Sequence, residues 1–172
     1  PSGDYVFARW GRPIAAVVFG VLDESLSFIK SAVEAVCLAS GHKTSELDPD
    51  IGSNLMVFFF KDWSELLEVP DLEHIIPNLE VLLEKLETAE ANQYRIFRFD
   101  ETGGIKACFV FLRMDNALKK LNAENLALIQ VVKAMLVWSD LAFQNASPLA
   151  VRENGETFLR PEIAALLKAA YD

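Results

Sequence analysis

The sequence predicts one α/β or α+β domain over residues 1–172. It reads as a mixed sheet packed on a central apolar helix, with elements in the order β-β-α-β-α-β-β-α-α. Three observations carry this. Asn54 to Phe60 (NLMVFFF) is a continuous apolar run of strand length, and a run without alternation belongs to a central strand covered on both faces. Tyr94–Phe99 and Ile105–Leu112 are β-rich segments around Gly103-Gly104, the signature of a hairpin. The segment from Ala123 to Phe143 is apolar almost all round, as a buried helix must be.

Taken in chain order, Tyr5–Trp10 and Pro13–Gly20 read as strands, the second β-branched and bounded by Pro and Gly. Asp23 can cap a helix over Ser25–Ser40, whose Leu26, Ile29, Val33, Val36 and Cys37 recur at helical spacing until Gly41 stops it. His42–Gly52 is a polar loop. After the central strand, Lys61–Val69 carries one or two helical turns that Pro70 ends. Pro77 fits the first turn of a helix to about Ala91, with Leu79, Leu82, Leu83 and Leu86 on one face. The hairpin and the long apolar helix follow. Asn154-Gly155 marks a turn in the loop opened by Ser147-Pro148, and Pro161 starts a last helix to Tyr171.

Composition excludes several function classes. Sixteen Lys and Arg against 25 Asp and Glu leave a formal net charge of −9, which opposes nonspecific nucleic-acid binding and adsorption to an anionic membrane. Hydrophobic residues make up 52%, enough for a core and too many for a disordered chain. The longest apolar run, Ala15–Leu22 with Gly20 inside it, falls short of the roughly 20 residues that a membrane-spanning helix needs. Pro1 in place of Met fits a removed signal peptide and a truncated chain equally.

The chemistry that is absent is as informative. Two cysteines make no disulfide framework, and Cys37 and Cys108 both fall on apolar faces, where a thiol is core rather than nucleophile. Neither His42 nor His74 has a second histidine at ligand spacing. Glu68, Asp71, Glu73 and His74 read as a solvated acidic turn, and Asp48 and Asp50 as loop caps without the rest of a calcium loop. Gly103-Gly104 opens no helix and so cradles no phosphate. Trp10, Trp63 and Trp138 read as core or rim anchors. The one site-like feature is on the long helix. From Asn125 to Trp138 every residue is apolar except Asn125, Gln130 and Lys133. Gln130 and Lys133 share a face, and Asp140 lies two turns beyond Lys133 on nearly the same side. A narrow polar stripe on a buried helix marks either a cleft or a solvent-facing edge.

Arg9-Trp10-Gly11-Arg12-Pro13-Ile14 resembles the "R-W-x-x-P-I" opening of a poorly characterised bacterial family of exported or lipid-anchored proteins of unknown function. Phe19-Gly20 resembles the close of its first strand pair, and Leu38-Ala39-Ser40-Gly41 the end of its first helix. Ser53-Asn54-Leu55-Met56-Val57 resembles its "A-N-x-x-V" strand, and Lys133-Ala134-Met135-Leu136 through Asp140 its "Q-A-L-G-L-P-N-D" stretch. Leu166 to Asp172 resembles its terminal "L-L-x-x-L-Y-D". The resemblance implies a zincin-like fold, similar to metallopeptidases, in which the helix before the "A-L-G-L" stretch would carry His-Glu-x-x-His. It also implies an exported or periplasmic protein. The family pattern reads "E-E-L-x-Q" at that place, and this chain reads Ile129-Gln130-Val131-Val132-Lys133. Gln130, a neutral amide, cannot take a proton from an attacking water, and a Lys133 ammonium repels a dication. Leu136 and Trp138 replace the family's Gly and Pro.

The expectation is therefore a non-catalytic, metal-free metallopeptidase-like domain acting as a binding or structural module. Its vestigial cleft lies at Gln130, Lys133 and Asp140, it has no cofactor, and its partner is a protein or peptide. Two alternatives stand beside it. One is a hydrolase whose carboxylates converge from Glu68, Asp71, Glu73 and Glu153. The other is an acidic docking module for a basic partner protein, whose association would weaken with salt.

Overall fold

The computed structural model describes residues 8–20, 23–44, 52–138 and 142–172. Strand β1 (Ala16–Phe19) leads into helix α1 (Asp23–Ser40) and strand β2 (Leu55–Phe60). A 3-10 helix (Trp63–Glu68) and helices α2 (Leu72–Ile75) and α3 (Leu79–Thr88) follow, then the hairpin β3 (Gln93–Phe99) and β4 (Ile105–Arg113). The chain ends with α4 (Asn116–Lys119), α5 (Ala123–Met135), the two-stranded ribbon β5 (Leu149–Val151) and β6 (Thr157–Leu159), and α6 (Pro161–Ala170).

The main sheet is mixed, as expected, with order β1-β2-β4-β3. β1, β2 and β4 run parallel, which requires crossover segments between them, and α1 is the first of these. β3 pairs antiparallel with β4 and forms one edge. Its turn is tied by Asp100, whose Oδ1 accepts from the Thr102 and Gly104 amides and from the Thr102 hydroxyl. Asn54 fastens β1 to β2. Its side-chain oxygen accepts from the Ala15 N–H at 2.8 Å, and its Nδ2 donates to the Pro13 carbonyl at 2.9 Å.

Both faces of the central strands are covered, which is why β2 and β4 lack polar alternation. Leu55 and Val57 of β2, with Cys108, Val110 and Leu112 of β4, join α1, α5 and Leu167 of α6 in one buried cluster. Phe58, Phe60, Phe109 and Phe111 point the other way and join Trp63, Leu66, Leu72, Leu79 and Leu86 in a second. The rings of Phe58, Phe60 and Phe111 stack there. Cys37 and Cys108 are buried thiols, pushed up by burial to about 11 and about 12.

Several sequence expectations need correction. The long apolar helix stops at Met135 rather than reaching Phe143, because Leu136 turns extended (φ −138°, ψ 160°), is fully buried and bridges to Arg9. Three aromatic side chains then occupy carbonyls that the helix end leaves unpaired. The Trp10 indole donates to Ala134 at 2.8 Å, the Trp138 indole to Val132 at 2.9 Å, and the Tyr171 hydroxyl to Met135. α3 begins at Leu79, after Pro77 and a left-handed Asn78 (φ 60°), so Pro77 precedes the helix. Arg9 and Trp10 make isolated bridges to Leu136 and Ile105, and Tyr5 to Phe7 of that expected strand lie outside the described residues. The loop residues Asp48 and Asp50 also lie outside them. The Asn154-Gly155 turn closes the β5–β6 ribbon, whose strands were not expected. Among the described residues no helix is long and apolar enough to cross a membrane.

Candidate functional site

Helix α5 starts at a conventional cap, the Asn122 side chain accepting from the Asn125 N–H at 2.7 Å, and is buried along most of its length. Its polar stripe therefore has to meet other polar groups, and edge strand β3 supplies them. On β3, Tyr94 and Ile96 pack into the aromatic cluster on the far side, so alternation turns Gln93, Arg95 and Phe97 toward α5.

Gln130 is 2% exposed, and its side-chain oxygen accepts from Arg95 Nη2 at 2.7 Å. Three donors converge on the single side-chain oxygen of Gln93. They are Arg95 Nη2 at 2.8 Å, Lys133 Nζ at 3.2 Å and Gln130 Nε2 at 3.3 Å. Arg95 Nε is buried and without a hydrogen-bond partner among the described residues. An amide oxygen offers two lone pairs, so this network is rich in donors and short of acceptors.

Beside the network opens a cleft of about 480 Å³, lined by Gln93, Arg95 and Phe97 of β3, Lys133 of α5, and Trp138 and Phe143 beyond the helix. The Trp138 and Phe143 rings meet edge-to-face at 4.9 Å, and the Lys133 ammonium sits 5.9 Å from the centre of the Phe143 ring. Burial lowers the Lys133 pKa to about 8, with the Arg95 cation adding to the effect. Burial also lowers that of Arg95. No carboxylate among the described residues pairs with either cation.

Of the residues singled out in the sequence, Gln130 and Lys133 are thus brought together at one site. Asp140 lies outside the described residues. Ile129 is half-buried on the same helix. Trp138 forms a wall of the cleft, whereas Trp10 and Trp63 are core. The carboxylates considered for a hydrolase are exposed, Glu68, Asp71 and Glu73 around α2 and Glu153 in the β5–β6 turn. Among the described residues no group of three His, Cys, Asp or Glu could hold a metal ion. His42 bonds the Arg12 carbonyl through Nε2 at 2.8 Å and packs on Tyr171, and burial lowers its pKa. His74 is exposed beside Asp71.

Gln93, Arg95 and Phe143 were missed by the sequence reading. The available signal was Arg95 itself, a charge on the strand face that alternation assigns to the interior. Comparison with known proteins finds no matching family model, no matching curated protein and no matching solved structure.

Proposed function

We propose that this chain is a non-catalytic binding module of zincin-like architecture whose cleft between α5 and β3 receives a protein or peptide partner. The observation that carries the reading is the placement of the α5 polar stripe. Lys133 lines a walled cleft together with Gln93 and Arg95 of a sheet-edge strand, and Gln130, buried behind it, holds Arg95 in place. A buried apolar helix against a mixed sheet supports the zincin-like resemblance. Ile129, Gln130 and Lys133, at the positions where that resemblance would put metal ligands and a general base, offer an alkyl group, an amide and an ammonium. None of these is a favourable zinc ligand at neutral pH, and the Gln130 oxygen is already engaged by Arg95. The outer edge of β3 adds backbone donors and acceptors of the kind to which extended peptides pair.

The test is peptide-display selection on the immobilised chain in EDTA, with the selected sequences mapped by amide chemical shifts. Shifts clustered on Gln93–Phe99 and Gln130–Trp138 are expected. Selected peptides that map elsewhere, or metal-dependent hydrolysis of peptides by the purified chain, would overturn the reading.

A further inference from the structure

The donor excess in the cleft has a chemical consequence. Arg95 and Lys133 bring two cationic side chains to one cavity, and among the described residues the acceptors that meet them are the oxygens of two neutral amides, Gln93 and Gln130. The Gln93 oxygen is shared among three donors, and Arg95 Nε has no acceptor among the described residues. A pair of partly desolvated cations without a counter-charge among the described residues is costly, and an incoming oxyanion repays that cost with charge-assisted bonds. The chain as a whole is strongly acidic, with a net charge of −9, so a cationic pocket is not a by-product of composition. Trp138 and Phe143 form an aromatic wall beside Lys133, suited to an apolar group a few ångströms from the charge.

We propose that the cleft binds an oxyanion, a carboxylate or phosphoryl group, between Arg95 and Lys133, with the apolar body that carries it lying on Trp138 and Phe143. This rests on the reading of the cleft as a binding site and names the chemistry of the group recognised there. Arg95 Nη2 is engaged by Gln93 and Gln130, so the guanidinium meets the anion through Nη1, and the ammonium closes on the same anion from the helix side. The rim of β3 then determines what is attached.

Phenylacetate, phenyl phosphate and the neutral isostere phenylacetamide are the probes, titrated into the chain at pH 7 by calorimetry and by shifts of the Trp138 indole N–H. Phenylacetate or phenyl phosphate should bind roughly tenfold to a hundredfold more tightly than phenylacetamide, the range that charge-assisted hydrogen bonds supply. The tighter of the two distinguishes carboxylate from phosphoryl recognition. Lys133→Met should abolish the preference over the amide, and Lys133→Arg should retain most of it. Equal binding of all three probes, moving Trp138 alike, overturns the oxyanion proposal and leaves the binding cleft standing. Binding of the anions to Asp140→Asn but not to the unaltered chain also overturns it, because the chain's own carboxylate would then be the anion. No shift at Trp138 from any probe, together with display peptides that map elsewhere, overturns both readings.

Discussion

The side-chain oxygen of Gln130, buried in helix α5, stands 2.7 Å from the guanidinium of Arg95 on the sheet-edge strand. This contact gives the polar stripe of the helix its partner, and Arg95 in turn lines the cleft.

Substitutions at Gln130 should separate stability from binding. Gln130→Leu leaves Arg95 short of an acceptor in a buried setting and should cost about 1–3 kcal/mol in urea unfolding. Gln130→Glu keeps the shape and places a carboxylate against the guanidinium. Its Coulombic gain is offset by desolvation, so stability should change by less than about 1 kcal/mol. The new carboxylate competes with any external oxyanion, so phenylacetate affinity should fall at least roughly tenfold. A Gln130→Glu chain that binds phenylacetate as well as the unaltered one would contradict this geometry.

Lys133 should leave a signature in the alkaline limb of the stability curve. Its pKa is lowered from 10.5 to about 8 by burial and by Arg95. Between those values the unfolded chain holds the proton and the folded chain has released it, so this group's contribution to stability rises with pH across that window. Below about pH 8 the ammonium is a constant penalty. The buried thiols act in the opposite sense, since raised pKa values make folding less favourable as pH passes 9. The difference between the unaltered chain and Lys133→Met isolates the lysine. That variant should melt about 2–4 °C higher at pH 7 and lose the advantage by pH 10.5. The side chain is partly exposed, which keeps the effect well below the full value of the shift.

What was legible in the sequence was local. The apolar run at Asn54–Phe60 and the Gly103-Gly104 turn are contained within their own elements, and both appear where expected. The end of α5 was not legible, because Trp10 and Tyr171, from opposite ends of the chain, cap it. α2 and α4 are single turns, too short for periodicity to speak, and β5 and β6 have three residues each. Of the polar network beside the cleft, the Gln130 and Lys133 stripe was visible as a break in an apolar helix. The rest of that network depends on β3 taking the sheet edge opposite α5, a pairing no spacing along the chain encodes.

Tyr171 should prove to be a structural node at the same helix end. Its hydroxyl donates to the Met135 carbonyl and accepts the Trp10 backbone N–H at 3.1 Å, and burial raises its pKa. Tyr171→Phe removes both partners at once and should cost about 1–3 kcal/mol in denaturant unfolding. Because the Trp10 indole still holds the Ala134 carbonyl, the helix should persist by far-ultraviolet circular dichroism. A Phe variant as stable as the parent would show that water replaces the hydroxyl without cost.

Gly20 follows β1, where the backbone takes φ +87° and passes close to β2. A Cβ built there lies 2.4 Å from the Phe59 carbonyl oxygen, a backbone atom that cannot move without disturbing the β1–β2 pairing and the Phe19–Phe58 stack. Gly41, at the end of α1, also has positive φ (+78°) but nothing within 4 Å of its would-be Cβ. The two sites share backbone strain and differ in the steric clash. Gly41→Ala should therefore cost about 1 kcal/mol, the strain alone, and Gly20→Ala roughly 3 kcal/mol or more. Equal losses in the two variants, measured by urea unfolding, would mean that β1 gives way at its end and does not hold the sheet edge rigidly.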